Sequence, residues 1–174
     1  RRGYAERVSF RAEDYVHNYR ANVYDKAALV FNTLRWVAGD SLIDEINRTY
    51  YDRWKFKHVN EERYRAVAEE LSGRDLSRQF EQWLHTIKAV DYELAEVRTR
   101  PDSSGVLVQV HVNRLGELYC PIEVQFTLPD GSVVRERMDA RDRNMVKRAR
   151  LKAAPVRVAI NADNEIMDVD MSNN

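Results

Sequence analysis

Apolar residues recur along the first half of this chain at spacings of three and four, and along the second half at spacings of two. The first pattern predicts four helices. The stretch "NVYDKAALVFNTLRWVAGD" opens on polar groups and then turns apolar on nearly every side. Asn22 suits its N-cap, with Asp25 three positions on, and Gly39 suits the left-handed position that ends a helix. A second helix starts at Asp40–Ser41 and sets Leu42, Ile43, Ile46 and Tyr50 on one stripe. A third starts at Asn60, carries Tyr64, Val67 and Leu71, and stops at Gly73. The fourth, "DLSRQFEQWLH", gathers Leu76, Phe80, Trp83 and Leu84 on one face, with Asp75 as its cap. Before Asn22 the pattern predicts irregular chain with one short helical turn.

From Asp91 the period is two. Val106, Val108, Val110 and Val112 share one face of "VLVQVHV", and Ile122, Val124, Phe126 and Leu128 share one face of "IEVQFTL". The turn at Pro129–Gly131 leads into "SVVRERM" and predicts a hairpin. "VRVAI" and "EIMDVD", joined by "NADN", read as another pair. Six or seven short strands at this spacing predict a β-sandwich. All tryptophans precede residue 88 and all prolines follow it, so a boundary falls near "HTIKAVDY". The expected architecture is α+β: a helical bundle segment over 1–88, then an antiparallel β-sandwich over 89–174.

At 174 residues the chain has room for one domain or two small ones. Its 28 Lys and Arg are matched by 28 Asp and Glu, and neither half carries the basic excess that binding a phosphate backbone needs. The run "RDRNMVKRARLK", Arg141–Lys152, has no aromatic residue for base stacking and reads as a sandwich edge guarded by Lys and Arg. No nucleic-acid partner is expected. No apolar run approaches the roughly 20 residues of a spanning helix, and no signal peptide is visible. The lone Cys120 rules out an internal disulfide framework. The abrupt start, without an initiator Met, reads as a piece cut from something larger.

Chemistry is sparse. The four histidines, His17, His58, His85 and His111, are scattered, and no two hold the H-E-x-x-H spacing that converges on zinc. Nucleophile-elbow and phosphate-loop motifs are absent. Glu61–Glu62 and Glu69–Glu70 lie on helices whose other faces are apolar, and are expected to be solvated. On spacing alone, Tyr24 is a packing residue in the first turn of its helix, and Lys26 a solvated or ion-paired neighbour.

A family resemblance sharpens this. "VYDKAALVFNTLRWVAGD" resembles a segment of the gluzincin aminopeptidases, the aminopeptidase N group, that runs roughly Y-x-K-G-A-x-x-L-x-x-L-R-x-x-x-G-D. The likeness continues through "YYDRWKFKHVN", through "EELSGRDLSRQFEQWL" and into the closing "VRVAINADNEIMDVDMSNN". Ala27 stands where the family usually has glycine, and the family's G-x-P is missing from "LHTIKAVDYEL". The resemblance implies the C-terminal helical part of a zinc aminopeptidase, followed by its β-sandwich. The zinc ligands and the glutamate base would lie upstream and are not in this chain, so it would bind no zinc and be inactive alone. Tyr24 would stabilise the oxyanion of the tetrahedral intermediate. The implied partners are peptide N-termini and the upstream catalytic half of the same polypeptide, with an extracytoplasmic bacterial location. The alternative is a non-catalytic aminopeptidase-like scaffold or docking module.

Overall fold

The computed structural model describes residues 6–174. The chain forms two compact units, divided between Lys88 and Ala89. The first holds α1 (Ala27–Ala38), α2 (Asp40–Trp54), α3 (Glu61–Ser72) and α4 (Ser77–Leu84). A π-helical stretch, Ala21–Lys26, runs directly into α1, and a single 3-10 turn, Ala12–Asp14, precedes it.

Local signals set most of the helix ends. The Asn60 side chain accepts from the Arg63 N–H, and Gly73 ends α3 in the left-handed region at φ 64°. Gly39 separates α1 from α2 at φ 93° and ψ 151°, an extended positive-φ conformation open essentially to glycine alone, so α2 starts at the next residue. Asp75 lies one position ahead of the α4 N-cap, where its carboxylate accepts from the Ser77 N–H at 2.9 Å. The apolar stripes meet in one core: Ile43 and Ile46 of α2, Tyr64, Val67 and Ala68 of α3, and Phe80 of α4. The Tyr64 ring lies edge-on to Phe31 and Tyr50, at 5.4 and 5.0 Å. Its hydroxyl donates to Asn47 Oδ1 at 2.8 Å, and burial pushes that phenol up to about 12.

The start of the first helix departs from expectation. Asn22 is not its cap but a buried residue inside it, 4% exposed. Its Oδ1 accepts from the Glu6 N–H at 3.2 Å, and its Nδ2 donates to the Asn18 carbonyl at 2.9 Å. Asn18 does the capping, accepting from the Ala21 N–H at 3.2 Å. Glu6, itself buried, gathers the backbone N–H groups of Val16, His17 and Asn18 on its carboxylate at 2.9–3.3 Å. The bond from Val16 is the largest cause holding this carboxyl below its ordinary value.

The second unit contains β1 (Tyr92–Asp102), β2 (Gly105–Arg114), β3 (Ile122–Thr127), β4 (Val133–Met138), β5 (Asn144–Leu151) and β6 (Arg157–Ile160). They form two antiparallel three-stranded sheets, ordered β1-β2-β5 and β4-β3-β6. Val108, Val110 and Val112 of β2 and Ile122, Val124 and Phe126 of β3 are all buried, the one-sided burial that period-two sequences produce. The β3–β4 hairpin turns at Gly131, with φ 82°. The basic run lies mostly on β5, an edge strand, where Arg150 pairs with Asp102 at 3.0 Å and Lys147 with Glu136 at 3.0 Å.

The second expected strand pair does not form. β6 pairs with β3, and "EIMDVD" stays outside both ladders. The Asn161 amide takes the place of a strand partner, accepting from the Ile166 N–H and donating to the Ile166 carbonyl, both at 3.1 Å. Asp168 then bridges in parallel to Val90, and its carboxylate accepts from the Tyr92 N–H at 3.0 Å. Tyr92, with no exposed surface, links β1 to the segments flanking the other sheet. Its hydroxyl accepts from the Cys120 N–H at 3.1 Å and shares its proton between the carbonyls of Cys120 and Ala140, at 3.0 and 3.1 Å.

Two outcomes follow. Tyr92→Phe strands one buried donor, the Cys120 N–H, and takes the hydroxyl from two carbonyls, and should lower the stability of the β unit by about 1–3 kcal/mol in chemical denaturation. Because folding lowers the Glu6 pKa, the carboxylate's contribution is complete above its unfolded value and vanishes as pH falls through the lower folded value. Amide exchange at Val16–Asn18 should therefore lose protection on acidification below the ordinary carboxylate range, and do so before the α2–α3 amides.

Candidate functional site

Tyr24 sits in the middle of the π-helical stretch that leads into α1. A π turn inserts a residue into the helical ladder and is frequent at functional positions. The phenol is 62% exposed, so it is not a core packing residue. Its ring makes an edge contact with Tyr19 at 6.1 Å; Tyr19 contacts Tyr15 at 5.3 Å, and Tyr15 contacts Phe10 at 5.6 Å. Among the described residues no group hydrogen-bonds the Tyr24 hydroxyl, which leaves it available as a donor to a ligand.

The opposite side of the same turn is locked. Asn22, two residues before Tyr24, is held by Glu6 and Asn18 as described. Lys26, two residues after, is half-buried, and its Nζ donates to the carbonyls of Glu6 at 3.2 Å and Thr86 at 3.1 Å. Among the described residues its partners are backbone carbonyls rather than a carboxylate, and burial lowers its pKa. Ala27 has φ −63° and ψ −42°, a helical conformation any residue adopts, so alanine in place of glycine costs the backbone nothing here.

The glutamate pairs on α3 are only partly solvated. Glu61 Oε2 lies 2.8 Å from His85 Nε2, Glu69 accepts from the Leu76 N–H at 3.0 Å, and Glu70 clamps the Arg53 guanidinium at 2.6 and 2.8 Å. Glu61, Glu69 and Glu70 thus each have a partner within the helical unit.

One cluster escaped the sequence reading. The carboxylates of Glu123, Asp163 and Glu165 bring single oxygens within 4.8 Å of one another. Arg135 lies among them, at 3.0 Å from Glu123 and 2.8 Å from Asp163. Gln125 Nε2 donates to the same two carboxylates. The guanidinium already answers much of their charge, and no histidine takes part. The set does not fit a catalytic zinc, which takes nitrogen-rich ligation with one open position. Pairing of β3 with β6 and the Asn161–Asn164 turn unite the three carboxylates, and the β3–β4 ladder adds Arg135, so no spacing rule points to them.

No family model matches the chain, and no curated protein matches it. Among solved structures it is similar to Legionella pneumophila aminopeptidase A, solved in complex with aspartic acid, with 14% sequence identity and a TM-score of 0.64. The match covers 85% of this chain and 17% of that one. The α+β fold described above is thus similar to one portion of an aminopeptidase.

Proposed function

We propose that this chain is the C-terminal part of a zinc-dependent aminopeptidase-like metallopeptidase that hydrolyses N-terminal peptide bonds. The helical unit would be the end of its catalytic domain, with the β unit following. The observation that carries this reading is Tyr24: an exposed phenol on a helix start whose other side is pinned by buried hydrogen bonds. The fold likeness to a stretch of an aminopeptidase supports it.

In this reading zinc belongs to residues outside the chain, since no group of residues described here suits it, and it would polarise the scissile carbonyl and supply a bound water. Tyr24 has one task. Its O–H donates to the oxygen on which charge develops as the peptide carbonyl is attacked. A donor fixed before the reaction loses no reorganisation energy at that moment, and one such bond typically contributes about 2.7–4 kcal/mol. The peptide N-terminus and the upstream half of the polypeptide are the partners this requires. Among the described residues no helix is long and apolar enough to cross a membrane, so no partner role is assigned to a spanning segment.

In the intact protein, Tyr24→Phe should lower kcat by about a hundredfold or more with KM little changed. An unchanged kcat in a folded variant would remove Tyr24 from the mechanism and favour the scaffold reading. Zinc titrated into the 174-residue chain by calorimetry should show no stoichiometric tight site. One tight zinc per chain would contradict the assignment of the metal to residues outside it.

A further inference from the structure

We propose that Lys26 is a positioning residue for Tyr24: its ammonium, bonded to the Glu6 and Thr86 carbonyls, fixes the direction in which the π turn presents the phenol. This rests on the reading of Tyr24 as an oxyanion donor.

The geometry is that of a clamp. Lys26 and Asn22 are four residues apart and face inward, while Tyr24, between them, faces outward. Both inward side chains terminate on Glu6: Asn22 accepts from its N–H and Lys26 donates to its carbonyl. Glu6 is in turn tied to Val16, His17 and Asn18, the residues that lead into this helix. Rotating the turn would break bonds on both sides of Tyr24 at once. The second acceptor, Thr86, lies beyond α4 and 60 residues from Lys26, so the turn is also referred to the far end of the helical unit.

The choice of lysine is informative. Two backbone carbonyls converge there, and a buried carbonyl without a donor is costly. An aliphatic side chain would fill the space and leave both unmatched. A single ammonium satisfies both, and the burial that lowers its pKa is the cost of placing a cation there. Since both acceptors are neutral, this is not a surface ion pair, and salt should screen it little.

The test uses the 174-residue chain with 3-fluorotyrosine at position 24, read by fluorine NMR. The parent should give one sharp resonance. Lys26→Met should broaden or split it while the amide spectrum of α2 and α3 stays in place, and Lys26→Arg, which keeps donors within reach, should restore a single line. Should Lys26→Met fail to fold, Lys26→Gln is read in the same way. A Tyr24 resonance indifferent to loss of the ammonium in a folded chain would overturn the proposal. In the intact enzyme, Lys26→Met should lower kcat about ten- to a hundredfold at nearly constant KM, and should add almost nothing once Tyr24 is Phe. Additive losses would mean that Lys26 acts elsewhere. The two readings fail separately: the fluorine signal judges the clamp, whereas Tyr24→Phe alone judges the catalytic role.

Discussion

The arrangement of the helical unit's entry depends on one buried carboxylate collecting three consecutive backbone N–H groups. Without Glu6, the partly buried amides of Val16, His17 and Asn18 would lose the acceptor that gathers them. With it, the preceding chain is turned back against the helix start, and Glu6's own N–H and carbonyl become anchors for Asn22 and Lys26. Each donor and acceptor of this one residue is thus used to hold the turn that carries Tyr24. The exposure of the phenol and the rigidity behind it have the same origin.

The β unit solves the same problem by different means. Tyr92 brings a single hydroxyl to three backbone groups, and Asn161 presents an amide that imitates a strand partner for Ile166. Asp168 accepts from the Tyr92 and Asp170 N–H groups, yet burial raises its pKa because those bonds do not fully replace water around the charge. In both units, side chains rather than extra ladders complete the backbone's hydrogen bonding where regular structure ends.

This division explains what could be read in advance. α3 was legible because Asn60 and Gly73 mark its ends locally, and the β3–β4 hairpin because Pro129–Gly131 lies between two alternating runs. Asn22 misleads because an asparagine near a helix start looks like a cap, while its actual partner, Glu6, is sixteen residues away. "EIMDVD" alternates like a strand, but Ile166 is matched by the Asn161 side chain and Asp168 makes only a single bridge, to Val90, which no periodicity encodes. Tyr24 could be singled out only by resemblance, since one tyrosine among nine has no local signature of exposure. Lys26 was open to misreading for the same reason: its acceptors are carbonyls brought near by folding.

Thr86 lies two residues ahead of the division between the units, and its carbonyl is one of the two that hold Lys26. The last residues of the helical unit and the turn bearing the phenol thus share one ammonium. A substitution that displaces the Thr86 carbonyl therefore reaches the same ammonium that backs the turn carrying Tyr24.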